Sequence, residues 1–159
     1  MHCRAVCALA SLLCLTGCGR TAAPAAPGAP GRHQHHPPHG GVPVVLGDEL
    51  FHLELVLDRP AGRLQAYVLD DEMEDFVRSE ARSFEIDAAG PGAPRRVVMD
   101  AVANPETGET VGDTSLFEGR SGWLRGAATF DAVIPRITVR GETFTNVRFN
   151  YPKGNDTDD

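Results

Sequence analysis

The sequence predicts an all-β protein: an antiparallel β-sandwich, immunoglobulin-like, with about six to eight strands following a linker. Three observations predict it. Between residues 42 and 152 apolar residues recur with period two rather than 3.6. Clusters of proline and glycine punctuate these runs, as in Asp58-Arg59-Pro60-Ala61-Gly62 and Ala89-Gly90-Pro91-Gly92-Ala93-Pro94. No long amphipathic helical pattern interrupts them, and the best helical candidate, Glu72–Glu80, is short. No internal repeat recurs at a fixed period.

The strands are justified in order. Val42–Leu46 is a short apolar run that a turn near Gly47-Asp48-Glu49 would fold onto the next. In that next run Phe51, Leu53, Leu55 and Leu57 alternate with His52, Glu54 and Val56. Leu64, Ala66 and Val68 alternate with Gln65, Tyr67 and Leu69. Pairing Leu57 with Leu64 places Leu55 opposite Ala66 and Leu53 opposite Val68, which buries one continuous face. Ser83–Ile86 and Arg95–Val102 are further strands, and residues 103–115 read as a long polar loop. At the C-terminal end Ile137 and Val139 face Val147, Phe149 and Tyr151. A three-residue loop, Gly141-Glu142-Thr143, would match these faces by setting Val147 opposite Ile137 and Phe149 opposite Pro135.

The first 41 residues have a different character. Arg4 precedes an apolar run, Ala5–Leu15, well short of the roughly 20 apolar residues a spanning helix needs. It reads as a segment to be removed. Leu15-Thr16-Gly17-Cys18 resembles the bacterial lipobox at all four positions. The resemblance implies a signal peptide over 1–17 and a lipid attached to Cys18. By resemblance to enterobacterial sorting, Gly19, where Asp would retain the protein, implies the outer membrane, facing the periplasm. Cys3, Cys7 and Cys14 would leave with the signal, so the mature chain would have no disulfide and no cysteine ligand for a metal. Residues 18–41 then form a linker, first rich in Ala, Pro and Gly and then in His. Its prolines favour extended states near about 3.1 Å per residue. A domain over 42–152 and a polar acidic tail over 153–159 complete the chain, the tail expected to be disordered.

Charge narrows the function classes. Without residues 1–17 the chain keeps 14 basic and 22 acidic residues, a net charge of −8 with histidine neutral. Nucleic-acid binding needs a basic surface and is not expected. Membrane association is expected through the lipid rather than through charge. No Gly-x-Ser-x-Gly, His-Glu-x-x-His, phosphate-binding loop or dinucleotide fingerprint is present, so an enzyme is not expected.

One cluster points to chemistry. His33, His35, His36 and His39 fall in a single short strip. Imidazole is a common ligand for Cu, Ni and Zn ions, and a flexible strip lets several rings converge on one ion. Pro37-Pro38 would set His39 apart from the other three. If the first two strands pair, Glu54 comes near Gly41 and so towards His39. His52 and Glu54, two apart and pointing away from the Phe51/Leu53 face, are then either additional ligands or a solvated surface. The acidic run Asp70–Asp75 is read as a solvated turn rather than a Ca²⁺ loop, because it lacks the spaced Asp/Asn-Gly pattern. Trp123, the single tryptophan, is read as covering a core edge, with docking of another envelope protein as the alternative. Arg136, Arg140 and Arg148 are expected to line an outward face of the last hairpin.

His39-Gly40-Gly41, Leu46-Gly47-Asp48, Phe51-His52-Leu53-Glu54-Leu55-Val56 and Ala66-Tyr67-Val68-Leu69-Asp70 together resemble small lipoproteins of planctomycete- and verrucomicrobium-like bacteria. The same segment resembles an N-terminal part of periplasmic adaptor proteins of heavy-metal efflux pumps. The likeness covers residues 39–86 and implies metal handling outside the cytoplasm. The long helical hairpin of an adaptor has no counterpart in this chain. The expectation is therefore a lipid-anchored envelope protein that binds or buffers a divalent transition metal. The alternative is an interaction or structural module of the envelope.

Overall fold

The computed structural model describes residues 36–89 and 94–155. The signal segment with Cys18, the Ala/Pro/Gly stretch, His33, His35 and residues 156–159 lie outside the described residues. The strands are β1 (Val42–Leu46), β2 (Phe51–Asp58), β3 (Arg63–Leu69), β4 (Ser83–Ala88), β5 (Arg95–Ala101), β6 (Leu116–Arg120), β7 (Phe130–Val139) and β8 (Glu142–Tyr151). A 3-10 turn, Gly122–Gly126, separates β6 from β7. All pairings are antiparallel and join the strands in one sheet, ordered β1-β2-β3-β6-β5-β4-β7-β8. One buried cluster takes side chains from every strand, among them Leu46, Leu55, Leu64, Ile86, Met99 and Phe117. The all-β antiparallel class is as the period-two pattern requires. No described helix is long and apolar enough to cross a membrane.

The sheet nearly closes on itself, and the residues after β8 bridge its two end strands. The Asn155 side chain accepts from the Val45 amide at 2.7 Å and donates to the Val45 carbonyl at 3.2 Å. A side-chain amide thus stands where a neighbouring strand would, and satisfies part of an open edge. Gly154, at φ +80°, exchanges both backbone hydrogen bonds with Asn150. A Cβ at Gly154 would run into the Pro43 carbonyl, so the position needs glycine. Residues 153–155, expected as disordered tail, are therefore part of the folded unit.

The β2–β3 register is the expected one: Leu57 faces Leu64, Leu55 faces Ala66 and Leu53 faces Val68. The β7–β8 register is not. Val139 pairs with Glu142 across a two-residue turn of Arg140 (φ 49°) and Gly141 (φ 82°), both left-handed as a type I′ hairpin turn demands. Val147 lies opposite Ile134 and Phe149 opposite Ala132, not Ile137 and Pro135. The face mismatch that argued against a short turn is resolved further along. The buried phase switches between Ile134 and Ile137 on β7 and between Phe144 and Val147 on β8. Pairing skips Pro135, which has no N–H to give, and Asn146, which sits at φ 55°. Each strand thus carries an irregularity at the same level, and the inward faces match with the short turn intact. The Glu80 carboxylate accepts from the amides of Arg140 and Gly141 at 3.0 and 2.6 Å, which fastens this turn to the loop before β4.

Glu72–Glu80 is not helical. Phe76 bridges Leu69, Val77 donates to the Val68 carbonyl and Ser79 bridges Thr114. The polar loop 103–115 has an interior: Glu109 is buried and accepts from the Ser115 amide, the Ser115 hydroxyl and the Thr107 hydroxyl at 2.8, 2.7 and 2.6 Å. Burial alone would push the Glu109 carboxyl up; these hydrogen bonds outweigh it and hold the group below the ordinary carboxylate range. A carboxylate with a lowered folded pKa adds stability in full above its unfolded value and loses it as pH falls through the folded one. Amide hydrogen exchange read from pH 6 down to 3, corrected for intrinsic rates, should show protection of the Ser115 amide falling at the acid end. Protection constant across that range would contradict a role for Glu109 as an ion.

Candidate functional site

The outer face of β2 and β3 carries a second, smaller buried cluster. Period two sends His52 and Glu54 away from the main core, yet both are fully buried, with 0% exposure. Leu69 and Met73 are also buried, and neither belongs to the main cluster. Two flaps supply the cover. One is the segment after β3, held down by the Leu69–Phe76 bridge. Within it Asp70 caps the turn by accepting from the amides of Glu74 and Asp75 at 2.9 and 3.2 Å, as a solvated acidic turn would. Met73, at φ 58°, turns its side chain inward.

The other flap is the end of the histidine strip. Gly40 donates to the Pro37 carbonyl at 3.0 Å, closing a turn whose second residue, Pro38, has its φ preset. That turn lays His39 on the sheet. The His39 ring stacks on Tyr67 at 3.9 Å between centroids and 14° between planes, and Phe76 leans on both rings at 5.8 and 6.0 Å. Glu54, directly opposite Tyr67, fastens the flap. Its Oε1 accepts from the His39 amide at 2.7 Å and the Gly41 amide at 2.8 Å; its Oε2 meets His39 Nδ1 at 2.8 Å. Gly41 is needed for this approach, because a Cβ there would lie 2.7 Å from Glu54 Cγ and 2.7 Å from the Leu55 carbonyl. Burial, followed by the nearby Glu54 carboxylate, pushes the Tyr67 phenol above its usual value.

The structure thus brings His39 and Glu54 together, as the proximity of Gly41 to Glu54 suggested. It does not build the three-ligand site of His39, His52 and Glu54. Among the described residues no three His, Cys, Asp or Glu side chains are grouped so as to hold a metal ion. His52 donates from Nδ1 to the Asp70 carbonyl at 3.0 Å under the second flap. Both oxygens of Glu54 are engaged by the first flap. Neither residue is on a solvated face, because chain distant in sequence folds back over them. His39 keeps 37% of its side chain exposed. His36 lies exposed three residues earlier, and His33 and His35 fall outside the described residues.

The remaining sequence candidates are placed elsewhere. Trp123 is half-buried, edge-on to Phe130 at 5.2 Å with the Arg95 guanidinium over its ring, and so covers a core edge. Arg136, Arg140 and Arg148 are exposed on the last hairpin. Sequence reasoning missed the aromatic stack: it placed Tyr67 as an alternating strand residue and assigned no role to Phe76, which stands among charged residues inside the short helical candidate Glu72–Glu80. Phe76 keeps 49% exposure, and its isolation there was the one available signal that the flap folds back.

Comparison of the chain with protein-family models, with curated proteins and with solved structures finds no match. The functional reading therefore rests on the residues themselves.

Proposed function

We propose that this chain is an envelope protein, anchored by a lipid on Cys18, that binds a divalent transition metal through His33, His35, His36 and His39. The reading involves no catalytic step. The observation that carries it is the fixing of His39. The last histidine of the strip is held against the domain at its backbone, at Nδ1 and at its ring face, while over a third of its side chain stays exposed. Any chain segment that surrounds an ion must lose conformational entropy. One ring already in place lowers that cost. The donor chemistry fits an ion of the Cu²⁺, Ni²⁺ or Zn²⁺ type: imidazole nitrogens, no thiolate in a mature chain starting at Cys18, and a net charge that favours cations. Placed between a lipid and a compact domain, the strip would meet ions close to the membrane surface.

Calorimetric titration of the mature chain from Cys18, in detergent, with Cu²⁺, Ni²⁺ and Zn²⁺ tests this, beside a variant with His33, His35, His36 and His39 changed to alanine. Saturable binding in the micromolar range or tighter is expected for at least one ion, and its loss in the variant. Indistinguishable isotherms, or affinity no tighter than about millimolar, roughly −4 kcal/mol, would overturn it.

A further inference from the structure

We infer that Glu54 is a positioning residue for metal binding: it holds the ring proton of His39 on Nδ1 and leaves Nε2 as the coordinating nitrogen. The inference rests on the metal-binding reading above and assigns Glu54 a role other than ligand. An ionised carboxylate can only accept. The 2.8 Å contact between Glu54 Oε2 and His39 Nδ1 therefore places the proton on Nδ1. A neutral imidazole has one ring proton, so Nε2 keeps its lone pair. The hydrogen bonds to Glu54 engage the His39 amide and Nδ1 but not Nε2, and 37% of the His39 side chain remains exposed. Glu54 itself is fully buried and could meet an ion only by releasing the amides of His39 and Gly41.

The arrangement matches what coordinated histidines need. The nitrogen remote from the ion usually donates to a carboxylate or carbonyl, which fixes the tautomer and raises the basicity of the ligating nitrogen; removing such a partner weakens metal affinity about 10–100-fold. Here the carboxylate is one imidazole ring away from the ion, so its negative charge also offsets that of the cation. Stacking on Tyr67 restricts rotation of the ring about its Cβ–Cγ bond. The ligand class is a borderline divalent cation taken by His39 Nε2.

Glu54→Gln separates positioning from fastening. The amide keeps the length of the side chain and one oxygen for the amides of His39 and Gly41. Its other end is a donor aimed at Nδ1, so the ring is expected to move its proton to Nε2, the coordinating atom. Long-range proton–nitrogen spectra of the ¹⁵N-labelled full chain in detergent, recorded near pH 8, report the tautomer without metal. Wild type should show His39 protonated on Nδ1, and Glu54→Gln on Nε2. Zn²⁺ affinity should fall about 10–100-fold in Glu54→Gln, and should fall no further when Glu54→Gln is added to His39→Ala. His39 found protonated on Nε2 in wild type would overturn the inference, as would a Glu54→Gln chain that binds Zn²⁺ as tightly as wild type. Absence of Zn²⁺, Cu²⁺ and Ni²⁺ binding in wild type would overturn the metal reading itself, whatever the tautomer. Should Glu54→Gln fail to fold, the wild-type spectrum and the Zn²⁺ affinity of His39→Ala decide: a wild-type Nε2 proton, or no loss on removing His39, overturns the inference.

Discussion

Phe117→Ala should cost about 3–5 kcal/mol of folding stability. Phe117 is fully buried in β6 and meets Phe84 edge-on at 5.2 Å. Its direct partners on the flanking strands are both small, Ala66 on β3 and Ala101 on β5. The ring therefore fills space that neither neighbour can reach, and its removal leaves a cavity with little to collapse into it. A domain of this size has about 5–15 kcal/mol in all, so the variant should be marginal. Urea unfolding would show a lower midpoint at unchanged slope. A loss under about 1 kcal/mol would mean that the sheet closes over the cavity, against the packing described.

The same residue shows how far the sequence reveals the fold. The β2–β3 pair was legible because four alternating apolar residues meet three across a proline-glycine turn, and only one register joins their faces. Strand β6 was not, because Phe117 is its single large inward side chain. The next inward position is Gly119, where a Cβ would lie 2.5 Å from Val97 Cγ1 and 2.6 Å from the Val98 carbonyl. Without a second apolar residue there is no period to read. At β7–β8 the period was present but broken in both strands at once, so face matching on either strand alone led to the wrong turn. The site divides along the same line. That Glu54 comes near Gly41 follows from pairing two adjacent strands, and local pairing is what a sequence shows best. That Glu54 and His52 are buried follows from two flaps, one of them anchored by Phe76. Their positions depend on tertiary contacts that alternation does not encode.

Glu54→Ala should destabilise the chain by about 2–4 kcal/mol and release the flap at residues 37–41. The carboxylate accepts three hydrogen bonds from that flap. Hydrogen bonds to charged groups contribute about 1.5–3 kcal/mol each, but their sum overstates the loss. Once the flap lifts, the amides of His39 and Gly41 regain water, and only the cavity beside Tyr67 and the lost stacking remain uncompensated. The effect should therefore be partly local, with exchange protection at Gly41 falling more than protection at Leu55. Tyr67 supplies an independent readout. Its phenol is held high by burial and then by the Glu54 charge. Removing the charge and loosening the cover both favour the phenolate, so Tyr67 should ionise at lower pH than in wild type. Tyr151, the only other tyrosine, is also held high by burial, but Glu54 is not among the groups acting on it, so its titration should stay in place. An ultraviolet titration that leaves both phenols unmoved, or a stability loss below about 0.5 kcal/mol, would show that the flap is held by something other than this carboxylate.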